Sequence, residues 1–320
     1  EDGQSRMANS QSILFRGFVV AFLLSFGPAV SNSFARFAYA LVLPAMREDL
    51  QLNWSAAGWL NTANAFGYLA GAILTRLLVT RWGNRPLFQI GMVVTAVAVL
   101  ATGLTRDPDG LAVARIVAGI GGAGVFICGG ALSANILPHR PDLGTTMIAI
   151  YFAGGGIGLV IGGLVVPPLL DGGQVANWPL AWQGLGVTSL VMAAVAWWAA
   201  SRVVEPASPP SRKGGAVPPA PIRPFVPELI AYLLFGAGYI GYMTFVIAWM
   251  RESGTSTHLV IQVWVLLGIA TLVAPLIWRQ ALERWPGGRP MAVIMLVLTV
   301  GAWLPLVGVG AATMLTSAAL

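Results

Sequence analysis

The chain has 320 residues, 57% of them hydrophobic and 9% charged, with a formal net charge of +6. Its mean hydropathy of +0.76 and its repeated apolar runs exclude an ordinary soluble domain and indicate an all-α polytopic membrane protein; the alternation of barrel strands is missing from those runs. A single cysteine, Cys128, excludes an internal disulfide or cysteine-based metal site, and His139 and His258 have no ligand-like neighbours, so no metal, cofactor or enzymatic chemistry is expected.

A polar segment, residues 1–12, precedes the first apolar run. That run is too long for a cleaved signal and reads as a retained span. Nine spans are expected: Ile13–Pro44, Ser55–Val79, Pro86–Leu104, Gly110–Leu137, Thr145–Leu170, Leu180–Val203, Glu228–Met250, Leu259–Ile277 and Met291–Ala312. With the N-terminus in the cytoplasm, the inner side holds Arg6, Arg16, Arg76, Arg81, Arg85, Arg140, Arg202, Arg212, Lys213, Arg223, Arg279, Arg284 and Arg289. Only Arg47, Arg106 and Arg251 fall on the outer side. This asymmetry sets an N-in orientation and explains the basic charge without a nucleic-acid partner.

Between the sixth and seventh spans, Glu205 to Pro224 is rich in Pro and Gly and reads as a cytoplasmic linker, residues 204–225. The segments on either side repeat. Met46-Arg47-Glu48 recurs about 204 residues on as Met250-Arg251-Glu252, and Arg81-Trp82-Gly83-Asn84-Arg85-Pro86 recurs as Arg284-Trp285-Pro286-Gly287-Gly288-Arg289-Pro290. Residues 13–203 therefore form a six-helix half, and residues 226–320 hold the first three helices of a second half. A complete second half needs about 80 further residues, so the chain is expected to lack three helices.

Two arginines lie inside apolar runs, where a cation costs several kcal/mol and is kept for a partner or a task. Arg36 is about 16 Å of helix from Arg47, deep for snorkelling, and α-helical spacing puts Asn32, Arg36 and Tyr39 on one face. It either ties down a loop or faces a cavity. Arg115 lies about 9 Å from Asp109 and is either a bond to backbone carbonyls, a latch, or an anion contact. Asn61, Asn64 and Tyr68 make a polar stripe on the second span, as do Tyr239 and Tyr242 on the seventh; such stripes serve either packing or ligand contact. Gly119, Gly121, Gly154, Gly158, Gly162 and Gly163 are expected to let helices approach closely. All acids lie outside the apolar runs or at their ends, so no visible span carries a buried carboxylate for protons.

The six-plus-six repeat with a central linker resembles the major facilitator superfamily. Its fourth-span motif is matched by Leu111, Arg115, Gly119 and Gly121, with Ala118 in place of glutamine. Its loop motif between spans two and three is matched by Arg81, Gly83 and Arg85, but Arg76 replaces the glycine, Thr80 the acid and Asn84 an arginine. The fifth-span antiporter motif is matched by Gly154, Gly158, Gly162 and Gly163, with Leu159 replacing proline, and antiport is not assigned. Arg36-Phe37-Ala38-Tyr39 with Leu43-Pro44 is similar to the bacterial YbfB/YjiJ group.

The resemblance implies a substrate site between the halves at mid-membrane, lined by Arg36, Arg115, Tyr39, Asn32, Asn61, Asn64, Tyr239 and Tyr242. It also implies gating loops at Arg81, Gly83 and Arg85 and at Arg284 and Arg289. The expected function is secondary active transport of a small organic solute, anionic or amphipathic, by alternating access, in contact with membrane lipid of the bacterial inner membrane. Protons are a candidate coupling ion. The rivals are a proton-coupled exporter of apolar compounds and, in another class, a non-transporting receptor or assembly protein.

Overall fold

Three of the helices open on side-chain caps that their sequences supply. Asn53 Oδ1 accepts from Ala56 N at 2.8 Å, Asp107 Oδ2 accepts from Gly110 N at 2.8 Å with Pro108 following, and Ser256 Oγ accepts from Leu259 N at 3.4 Å. Each satisfies a backbone donor that the helix leaves unpaired. The computed structural model describes residues 2–171, 174–205 and 223–320. Among them, nine helices are long and apolar enough to cross a membrane: Gln11–Asp49, Trp54–Trp82, Asn84–Thr102, Pro108–Ala134, Pro141–Leu169, Val175–Ala200, Leu229–Glu252, Thr257–Trp278 and Arg289–Val307, numbered here as spans 1 to 9. Most of the expected linker, residues 206–222 with Arg212 and Lys213, lies outside the described residues.

Span 1 departs from a plain α-helix. From Ala29 to Phe37 it is a π-helix, in which bonds run from i to i+5 and the register widens. The stretch begins just after Pro28, which has no N–H to give to the preceding turn, and it ends where Ala38 N bonds Ser33 O. Span 1 also continues through Pro44 to Asp49, beyond the Pro44 end expected from sequence. Span 9 is shorter than expected. It stops at Val307, past Pro305, and a separate helix, Ala311–Ala319, folds back so that Ser317 Oγ donates to Gly301 O at 2.7 Å.

The first half packs through small residues. A Cβ on Gly119 would strike the Asn64 carbonyl and Tyr68 N, and one on Gly121 would lie 2.9 Å from Gly91 O, so spans 2 and 3 rest almost on the backbone of span 4. Span 5 does the same to span 1: Gly154 faces the Ser25 carbonyl and a Gly158 Cβ would lie 2.8 Å from Ala29 O. Without a hydrophobic drive between helices in lipid, this close contact and its dispersion energy hold the bundle together. Trp178, Trp182, Tyr151, Phe34 and Phe88 are fully buried between the helices, while Leu77, Leu104, Leu276 and other large apolar side chains face outward as a lipid-contacting surface does.

The halves touch along two seams. Spans 5 and 8 meet at reciprocal glycines, with Gly156 and Gly268 each facing the other's carbonyl, and Gly162 and Gly163 lie beside Trp264. The C-terminal part of span 1, Ala38–Asp49, meets span 7.

Candidate substrate cavity

Arg36 leaves the π stretch toward the second half. It is half-buried, and its guanidinium carbon lies 5.8 Å from the Phe37 ring centroid, 5.7 Å from Tyr68 and 5.7 Å from Tyr239. The last two rings come from different halves. A cation among aromatic faces is stabilised by their quadrupoles, and the rings also form a wall on which a planar apolar solute can stack. No hydrogen bond or ion pair to Arg36 occurs among the described residues. The cavity in front of it, lined by Arg36, Phe37, Tyr39, Ala40, Asn61, Ile240, Met243 and Thr244, has a volume of about 10 Å³, the room of a single water. The site is nearly closed here.

Arg115 sits behind that cavity rather than in it. Its side chain is 1% exposed and is the one charged residue in the buried set among the described residues. Nη1 donates to Ala35 O at 2.5 Å, and Nη2 reaches Asn61 Oδ1 at 3.5 Å. The Tyr39 and Trp182 rings flank it at 4.8 and 5.5 Å, and Nε has no hydrogen-bond partner among the described residues. The Ala35 carbonyl is in the π stretch, one residue from Arg36, so Arg115 braces the backbone that carries the cavity cation. Tyr39 Oη is spent on Ala57 O at 2.7 Å.

The other expected site residues divide. Asn61 lines the cavity, and its Nδ2 donates across the halves to Thr244 Oγ1 at 2.6 Å. Tyr239 touches Arg36 and packs edge-on against Phe37, with ring centroids 6.4 Å apart. Asn64 is buried elsewhere, donating to the backbone carbonyl of Arg115 at 2.9 Å. Tyr242 is not on the Tyr239 side; its hydroxyl meets Ser317 Oγ at 2.8 Å. Asn32 is half-buried with no hydrogen bond among the described residues. Arg36 and Tyr39 both line the cavity whereas Asn32 does not; through the π stretch each successive residue rotates less than α spacing predicts. Sequence reasoning missed Thr244, a hydroxyl in an apolar run with no polar neighbour to mark it.

The two ends of the bundle differ. At one end Arg47 Nη2 meets Glu252 Oε1 at 3.2 Å, which joins the two copies of the Met-Arg-Glu repeat, and Arg47 lies over the Trp54 ring at 4.1 Å. Thr257 Oγ1 also crosses the halves to Asp171 Oδ1 at 2.5 Å and accepts from Arg251 at 2.9 Å. A vestibule of about 550 Å³ lies there between Glu48, Trp54, Arg251 and Glu252. Asp49 is held by Arg106 at 2.6 Å and Trp178 Nε1 at 2.7 Å.

At the other end the side-chain bonds among the described residues stay within the first half. Glu205 accepts from Asn84 N at 2.9 Å and from Arg85 N, and the Arg85 guanidinium donates to Val203 O. A carboxylate from the end of span 6 thus caps the N-terminus of span 3, where the helix dipole favours a negative charge. This supplies, from a distance, the acid that Thr80 denies the loop. Gly83 turns the chain at φ +82°, and a Cβ there would lie 2.9 Å from Glu205 Oε2. Arg81, Arg284 and Arg289 are exposed.

An all-helical membrane bundle of two repeated halves, with Arg36 at their seam, is the arrangement of the major facilitator fold. The chain belongs to the family described as uncharacterised MFS-type transporter YbfB, which matches residues 29–320. The 4-hydroxybenzoate transporter PcaK of Acinetobacter baylyi is 24% identical over 147 residues, 46% of this chain and 31% of its own length. A gallate transporter of Pseudomonas putida is 27% identical over 187 residues, 58% of this chain and 37% of its own. The match thus spans about a third of the length of these curated relatives. Among solved structures, a D-xylose-proton symporter superposes with a TM-score of 0.64 at 15% identity, covering 96% of this chain and 79% of that one. The outward conformation of FucP gives 0.63 at 14% identity, covering 94% and 81%. At such identities the likeness is one of fold.

Proposed function

We propose that the protein is a secondary active transporter of a small aromatic carboxylate, working by alternating access with Arg36 as the solute contact. The observation that carries this is the Arg36 guanidinium at the seam, flanked by Phe37, Tyr68 and Tyr239 and without an anionic partner among the described residues. A carboxylate fits a planar guanidinium bidentately, and a ring attached to it would stack on the tyrosines. The two relatives named for 4-hydroxybenzoate and gallate support that solute class. The positive-inside asymmetry supports an orientation with the Arg81 end cytoplasmic and the Arg47 end outside, in what this reading takes to be a bacterial inner membrane. No acid is buried in the described spans, and the candidate proton carriers on this reading are the solute carboxylate and, within this chain, a rim acid such as Glu48 or Asp49.

A second reading, proton-coupled export of apolar compounds, is favoured by one fact: Arg115 is bonded to a backbone carbonyl and stands outside the cavity. Uptake of labelled 4-hydroxybenzoate into vesicles bearing the full-length protein, with and without a pH gradient, separates the two. Saturable uptake that benzoate blocks and that Arg36→Gln removes supports the anion reading. Folded protein that extrudes apolar dyes but takes up no carboxylate overturns it.

A further inference from the structure

Arg115 touches neither the cavity nor an acid, yet a full positive charge is buried there. Its neighbour Asn61 gives it a task. Arginine donates and cannot accept, so the Asn61 atom facing it is the amide oxygen. The amide NH₂ must then face the other way, toward Thr244 Oγ1 at 2.6 Å. Thr244 uses its own proton on Ile240 O at 2.7 Å, which leaves its oxygen as an acceptor. The chain of donors therefore runs one way, from Arg115 to Asn61 to Thr244, from the first half into the second. The Arg115–Asn61 distance of 3.5 Å is long, so the guanidinium acts mainly as a charge orienting the amide dipole.

Among the described residues, the Asn61–Thr244 bond is the one side-chain hydrogen bond between the halves that lies away from the helix ends. The other crossings, at Glu252 and Asp171, lie at the helix ends. It also forms part of the cavity wall beside Arg36. Movement of the halves apart at the Arg47 end must break it.

We propose that Arg115 is a positioning residue that orients Asn61, and that the Asn61–Thr244 bond so formed is the latch setting how readily the Arg47 end opens. This goes beyond the solute reading and requires only that the halves rock. A buried neutral hydrogen bond shifts such an equilibrium by roughly three- to tenfold.

The test is the labelling rate of Ala248→Cys, a buried position beside the Arg47 vestibule, by a membrane-impermeant maleimide on the full-length protein in proteoliposomes without solute. Cys128 is buried, and the protein without Ala248→Cys gives the background labelling. Thr244→Val, nearly isosteric, is expected to speed labelling roughly three- to tenfold, and Thr244→Ser to restore the parent rate. Asn61→Ala and Arg115→Met should each match Thr244→Val, with the double variants no faster than the singles. Parent-like labelling of Thr244→Val, or multiplicative effects in the doubles, overturns the latch. A parent that fails to bind 4-hydroxybenzoate counts against the solute reading alone, because every arm of this test is solute-free.

Discussion

The two intramembrane arginines look alike in sequence, each a lone cation in an apolar run, and the fold gives them opposite surroundings. Arg36 is half-buried, faces a cavity between the halves, and has its guanidinium among three aromatic rings. Arg115 is fully buried inside one half, bonded to a carbonyl, with Tyr39 and Trp182 packed on it. The difference teaches that two charges alike in sequence can take different places in the fold: one arginine is presented to the seam, and the other bonds a backbone carbonyl and faces the Asn61 amide beside that seam.

Substitutions can break or sharpen that contrast. The largest effect on folding is expected at Arg115→Ala, which opens a void and leaves the Ala35 carbonyl without its donor. We expect a loss of about 2–5 kcal/mol, read as a lowered Tm in detergent. Arg115→Met, which keeps the volume and removes a buried unpaired charge, should recover most of it. A large loss from Met and none from Ala would reverse the account. Next in size is Arg36→Gln. It should leave Tm near the parent and weaken solute binding by about 1.5–3 kcal/mol, the worth of a charge-assisted bond.

Smaller effects come from the ends of the bundle. Glu205→Ala removes the cap from span 3 and should cost about 0.5–2 kcal/mol, visible as faster hydrogen exchange at the Asn84 and Arg85 amides with no change at the Arg47 end. Glu252→Gln breaks an exposed pair worth about 0.2–1 kcal/mol. It should speed Ala248→Cys labelling only slightly, and less at high salt.

Much of the fold was legible in the residues because the bilayer imposes it. Long apolar runs admit helices only, and the Met-Arg-Glu and Arg-Trp repeats mark equivalent helix ends in the two halves. Arg36 and Arg115 stood out for the same reason, as charges where none is cheap. What was not legible depends on contacts across the chain. Pro28 marks a weak point in span 1, but only packing against span 5 shows a nine-residue π stretch there rather than a kink. Thr244 has no local signal, because its partner is 183 residues away. Glu205 reads as part of a linker until the fold brings it to the start of span 3. Tyr242 shares a stripe with Tyr239 in sequence, yet the helix Ala311–Ala319 claims its hydroxyl.

The central claim is that Arg36, not Arg115, meets the solute. Equilibrium binding of 4-hydroxybenzoate to purified full-length protein tests it, comparing the parent with Arg36→Gln and Arg115→Met. The account predicts a Kd raised roughly 10- to 100-fold by Arg36→Gln and changed less than about threefold by Arg115→Met. Unaltered binding in a folded Arg36→Gln protein, or its loss in Arg115→Met alone, would contradict it.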